Sequence, residues 1–120
     1  MSFVALWLGV GVLGGLGAIA RFLLDGLISA SGLRFPLGTL LVNLSGALVL
    51  GLLVGIALSG DAYLLAGTAV IGSYTTFSTW MLESHRLAED GQRWLLWANI
   101  GLSLALGVGA AALGRLLGAG

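Results

Sequence analysis

Four stretches of about 20 apolar residues, parted by short polar connections, make up nearly all of this sequence: residues 3–24, 37–58, 62–84 and 94–117. A bilayer's hydrocarbon core takes about 20 residues of α-helix to cross, and lipid offers backbone groups no partner, so helices are the state open to such stretches. The chain therefore reads as an all-α integral membrane protein, a single domain over 1–120 with four transmembrane helices. Charge points the same way, because 8% of the residues are charged where a soluble domain carries about 25%. A formal net charge of zero leaves no electrostatic footprint for nucleic acid. The N-terminus lacks a basic n-region and its apolar run outlasts an h-region, so the first helix is expected to be retained. The expected location is a cell inner membrane or plasma membrane, crossed several times, with lipid as a partner.

The third stretch holds the sequence's main anomaly. After the apolar run Leu64 to Ile71 come Gly72 and the hydroxyls of Ser73, Tyr74, Thr75, Thr76, Ser78 and Thr79. Such side chains compete for backbone hydrogen bonds, so a helix entering here is expected to break near its middle, at Gly72. Irregular backbone at membrane depth is tolerated where protein buries it or a watery cavity lies beside it, which makes a break a candidate ion site. The competing reading is a Ser/Thr-rich interface joining neighbouring helices. Past the break, Phe77 and Trp80 share a helical face with Ser84, a pattern that also serves plain packing.

The other spans carry polar stripes of their own. Thr39, Asn43 and Gly46 share one face of the second, which Pro36 is expected to open. Asn43 needs a partner inside the protein, because an unpaired amide in hydrocarbon costs roughly 4 to 8 kcal/mol; it is either an interhelical clamp or a donor aimed into a pore. Asn99, Ser103 and Gly107 recur every four residues on the fourth span. Small residues four apart, Gly11 with Gly15, Gly14 with Ala18, and the ridge Gly101, Ala105 and Gly109, provide close-contact faces. Arg21 lies one turn past Gly17, as a snorkelling anchor or a site residue. Asp25 to Arg34 reads as a connection, and Ser59-Gly60-Asp61 as a tight turn. His85 has no cysteine or second histidine to share a zinc ion. No nucleophile, base and orienting group converge, so an enzyme is not expected. Four helices are too few to enclose a polar pathway alone, so a homo-oligomer is expected. Amide and hydroxyl donors, with no carboxylate embedded in the first two spans, suit a small anion.

Three segments in order carry a resemblance over the whole chain: Gly14-Gly15-Leu16-Gly17-Ala18-Ile19-Ala20-Arg21, then Pro36-Leu37-Gly38-Thr39-Leu40-Leu41-Val42-Asn43-Leu44-Ser45-Gly46, then Gly72 with Thr75-Thr76-Phe77-Ser78-Thr79 and Glu83. Together they resemble the Fluc (CrcB) family of fluoride channels. The resemblance implies an antiparallel, dual-topology homodimer that passes fluoride out of the cytoplasm, with a structural sodium ion (Na+) at the dimer interface held by the backbone carbonyls of Gly72 and Thr75. It implies a fluoride pore drawing on Asn43, Phe77, Trp80, Thr76, Ser78, Ser103 and the vestibule residue Arg21. Two positions depart from the family pattern: Trp80 stands where a second phenylalanine is usual, and Asn99 where tyrosine is common. The rival reading, a small four-helix dual-topology exporter of cationic compounds, needs a carboxylate in the first helix, and residues 3–20 contain none.

Overall fold

The computed structural model describes residues 1–29 and 35–120, and everything described is helix or short connection. The chain forms α1 (Phe3–Ser29), α2 (Leu37–Gly55), α3 (Gly60–Tyr63), a π-helical stretch Leu64–Ile71, α4 (Gly72–Tyr74), α5 (Ser78–Glu89) and α6 (Arg93–Ala119). Three helices, α1, α2 and α6, are each long and apolar enough to cross a membrane. The expected third span is built in pieces, a helical rod over residues 60–74 and then α5, with residues 75–77 between them.

Several boundaries differ from the expected ones. The first helix continues past residue 24 to Ser29, whose hydroxyl donates to Asp25 Oδ1 one turn back at 3.2 Å, so half of the expected connection is helix. The rest of it, with Arg34, lies outside the described residues. Pro36 stands at the N-cap immediately before α2, where its missing N–H costs nothing. The second helix stops at Gly55 and not 58, because the chain closes there on itself. The Ala57 amide donates to Val54 O and the Leu58 amide to Leu53 O, both at 3.0 Å. This is a Schellman closure with Ala57 in the left-handed region at φ 60°. The expected tight turn at Ser59-Gly60-Asp61 thus falls a little earlier, and Gly60 already opens α3.

Close contact is made through glycine, at Gly14 as the spacing suggests and elsewhere in places it did not single out. A methyl on Gly51 would strike the Ala111 carbonyl, and one on Gly114 the Leu48 carbonyl. With Gly55 and Gly118 one turn on, α2 and α6 therefore cross backbone to backbone. Along α1, Gly17 meets the Val70 carbonyl, and a methyl on Gly14 would sit 3.2 Å from Ser73 Oγ, so α1 lies against the rod. Gly11, Gly15, Gly101 and Gly109 meet nothing within 4 Å. The first and third of the expected small-residue faces are open in the single chain.

The molecule has two ends. The N-terminal amine lies 4.0 Å from Asp61 Oδ2, and Gly118 packs on Ile56, so both termini and the α2–α3 connection share one end. Ile28, Ser29, Phe35 and Asp90 surround a common cavity at the other.

Candidate functional site

The break is held by two diverted hydrogen bonds. In a continuous helix the Thr76 amide donates to Gly72 O; here Thr75 is extended, with φ −80° and ψ 160°, and the Thr76 amide donates to Asn43 Oδ1 at 2.8 Å. Asn43 Nδ2 donates in return to Thr76 O at 2.9 Å. The Asn43 amide thus pairs with the Thr76 backbone as a neighbouring peptide would, and satisfies both the N–H and the C=O of Thr76. The second diversion lies on the far side: the Thr79 amide, which helix geometry aims at Thr75 O, donates to Thr76 Oγ1 at 3.2 Å. Thr76 therefore caps the first turn of α5. Gly72 and Thr75, the two carbonyls singled out in the sequence, are both relieved of their helical donors. The expected break at Gly72 needs correction, because Gly72 keeps helical angles and the chain departs from helix only after Tyr74.

Other hydroxyls of the cluster brace the two sides. Ser73 Oγ donates to Ala69 O at 2.6 Å and Thr75 Oγ1 to Ile71 O at 3.1 Å, so both act within the rod. The Tyr74 hydroxyl lies 2.8 Å from Ser45 Oγ on α2. Gly46 lets Thr75 approach, since a Cβ there would strike the Thr75 methyl. The expected stripe of Thr39, Asn43 and Gly46 is the face of α2 turned inward, with Thr39 and Gly46 buried. The cluster lies at a break in the helix and also fastens neighbours.

A groove of about 490 Å³ lies over the break, and Asn43, Gly72, Thr75, Thr76, Phe77 and Trp80 line it together. Phe77 and Trp80 meet edge to face, with centroids 5.6 Å apart and planes at 80°. Phe77 is 70% exposed. Three other candidates lie apart. Arg21 lines a neighbouring cavity of about 180 Å³ with Asp25, Thr39, Thr76 and Thr79, so Thr76 borders both spaces. Ser78 is exposed, 3.5 Å from Thr76 Oγ1. Ser103 sits on α6 with its Oγ buried and unpaired among the described residues, as are Arg21 Nε, Thr39 Oγ1 and Asn99 Oδ1.

The arrangement offers opposite charges on its two sides. A helix C-terminus presents carbonyl oxygens and a helix N-terminus presents amides. The rod ends and α5 begins within this groove, so cation-binding oxygens and anion-binding donors stand within a few residues of each other. The second hydrogen of Asn43 Nδ2 and the ring edges of Phe77 and Trp80 add positive character. Asn43's clamp on Thr76 was one of two readings open in the sequence. Its partner, 33 positions away, gives no local signal.

Residues 8–115 match the sequence profile of a family described as CrcB-like protein, Camphor Resistance (CrcB). A protein of Mycolicibacterium paratuberculosis named fluoride-specific ion channel FluC 2 is 55% identical over 118 residues, covering 98% of this chain and 97% of that one. A FluC 2 of Mycobacterium tuberculosis is 54% identical over 113 residues, covering 93% and 90%. A FluC 1 of Symbiobacterium thermophilum is 40% identical over 121 residues, covering 95% and 98%. With three membrane-length helices and these relatives, this multi-pass membrane protein belongs to the CrcB family.

Proposed function

We propose that this chain is a fluoride-selective channel of the cell membrane, letting fluoride leave the cytoplasm passively, and that it works as an antiparallel homodimer of four-span subunits. The observation that carries the reading is the groove over the broken third span, where Asn43, Thr76 and the ring edges of Phe77 and Trp80 converge. Fluoride is small and strongly hydrated, so a path through lipid has to replace its water with closely set donors. Each charge-assisted bond it loses costs about 1.5 to 3 kcal/mol. In this reading Asn43 offers its free Nδ2 hydrogen, Phe77 and Trp80 their edges, Thr76 and Ser78 their hydroxyls, Ser103 a step along α6, and Arg21 an attracting charge at the mouth. Residues 60–89 form the third crossing in two halves.

The donor set around the break fits a structural sodium ion. Gly72 and Thr75 have carbonyls freed of their helical donors, and unwound carbonyls at a helix C-terminal end are hard-oxygen ligands of the kind sodium takes. Two copies would double the set. A bound sodium ion would supply positive charge that offsets the exposed carbonyl dipoles and ties the two breaks together.

The test is fluoride efflux from potassium-fluoride-loaded liposomes containing the purified protein, with valinomycin to release the counter-charge. Rapid fluoride loss and no matching chloride loss from chloride-loaded vesicles is expected. Fluoride retained at the level of protein-free liposomes would overturn the reading.

A further inference from the structure

The second ring of the groove is held from behind by a closed set of hydrogen bonds between α5 and α6. Ser84 Oγ donates to the Trp80 carbonyl at 2.9 Å. Asn99 Nδ2 donates to Ser84 Oγ at 2.8 Å, and the Trp80 indole Nε1–H donates to the Asn99 carbonyl at 3.3 Å. Asn99 is fully buried and Ser84 is 3% exposed, so water does not compete for the bond between them, while the two bonds involving Trp80 are part-buried.

We infer that Asn99 and Ser84 are positioning residues for Trp80: they keep its indole N–H on the α6 backbone and so present a nonpolar ring face and edge beside Phe77. The inference rests on the proposed channel function and deepens it. An indole differs from a phenyl ring in carrying one strong donor. Left free beside an anion path, that donor would bind the ion and slow its departure. Turned onto Asn99 O, it leaves the groove with ring C–H groups alone on this side. The anchoring bond is long, at 3.3 Å against a usual 2.9 to 3.0 Å, so a shift of a few tenths of an ångström between α5 and α6 releases it. The Asn99 to Ser84 bond is what sets that spacing.

A double-mutant cycle separates positioning from plain helix packing. Asn99→Leu in the parent chain is expected to lower fluoride flux about fivefold, the worth of roughly one neutral hydrogen bond. In a Trp80→Phe background, where no N–H needs holding, Asn99→Leu should change flux by less than about twofold. Equal losses in both backgrounds would overturn the proposal. Ser84→Ala cuts the same chain of bonds and serves where Asn99→Leu fails to assemble. A second arm needs no transport: with Trp7, Trp94 and Trp97, all exposed, changed to Phe, Trp80 is the sole tryptophan and can be excited apart from Tyr63 and Tyr74. Asn99→Leu or Ser84→Ala should then raise its quenching by iodide, and unchanged quenching would refute the positioning role. If the parent carries no fluoride the channel reading fails, while the quenching arm still decides how Trp80 is held.

Discussion

Asn43 shows how much one side chain settles. It gives the Thr76 backbone a donor and an acceptor at once, and an aspartate of the same size can only accept. Asn43→Asp should keep the bond from the Thr76 amide, lose the one to Thr76 O, and set two oxygens facing each other. One lost bond and one unsatisfied buried group come to about 2 to 4 kcal/mol. Fluoride flux should therefore fall by more than about tenfold while the protein elutes in detergent at the parent's size; parental flux would refute the assignment. Phe77→Ile keeps apolar bulk and removes the ring edge against Trp80. Flux should again drop with assembly intact, and a normal rate would mean that the ion passes elsewhere. The hydroxyl cluster announced a break in the third span, but not its address. Glycine is the usual suspect for a breaker, yet a glycine inside a helix costs only about 1 kcal/mol, and Gly72 stays helical. The break is set by the Thr76 amide finding Asn43 across the chain and by Thr76 Oγ1 capping α5. The first, across 33 positions, cannot be read from local propensity.

At the scale of elements, two helices end by one device with different residues. At the end of α5 the Gly91 amide donates to Ala88 O and the Gln92 amide to Leu87 O, with Gly91 at φ 74°. At the end of α2 the same pair of bonds closes over Ala57 at φ 60°. A left-handed alanine costs roughly 1 to 2 kcal/mol that glycine does not. Ala57→Gly should accordingly raise the thermal midpoint in detergent and Gly91→Ala lower it; shifts of the same sign in both would contradict the shared closure. Three of the four expected spans and the opening at Pro36 were legible because apolar length and proline chemistry are local. The α2–α6 crossing was harder to find: with 21 glycines in 120 residues, four-residue spacings are plentiful and do not say which pair meets. Gly114→Leu, which would drive a side chain into the Leu48 carbonyl, should abolish folding or cost well over the ~1 to 3 kcal/mol of ordinary overpacking. Gly11→Leu, with nothing within 4 Å, should leave the subunit folded. The π-helical stretch Leu64–Ile71 had no signature in the sequence, because the same residues would make an unremarkable apolar α-helix.

For the whole molecule, the question is what covers the break. Unwound backbone cannot face hydrocarbon, yet Phe77 is 70% exposed and Gly72 is exposed in the single chain. In the proposed dimer a second copy seated over the groove would resolve this, and the open glycine faces at Gly11, Gly15, Gly101 and Gly109 would offer close-contact surface for it. Orientation follows from charge. By chain order Arg34, Arg86 and Arg93, with Arg21 as a fourth, flank one side of the spans and Arg115 the other, a bias of three or four to one that on so few charges is weak under the positive-inside rule, which counts lysine and arginine near the spans. Such a chain should insert both ways, so an antiparallel pair can form from one gene product. The N-terminus and the α2–α3 connection share an end, so Ser2→Cys and Ser59→Cys report the same side of any one subunit. In sealed vesicles a membrane-impermeant maleimide should label about half of either variant from outside, the rest only after permeabilisation, as equal insertion in both directions requires. Complete outside labelling, or complete protection, of both variants would establish a single topology and exclude the antiparallel dimer.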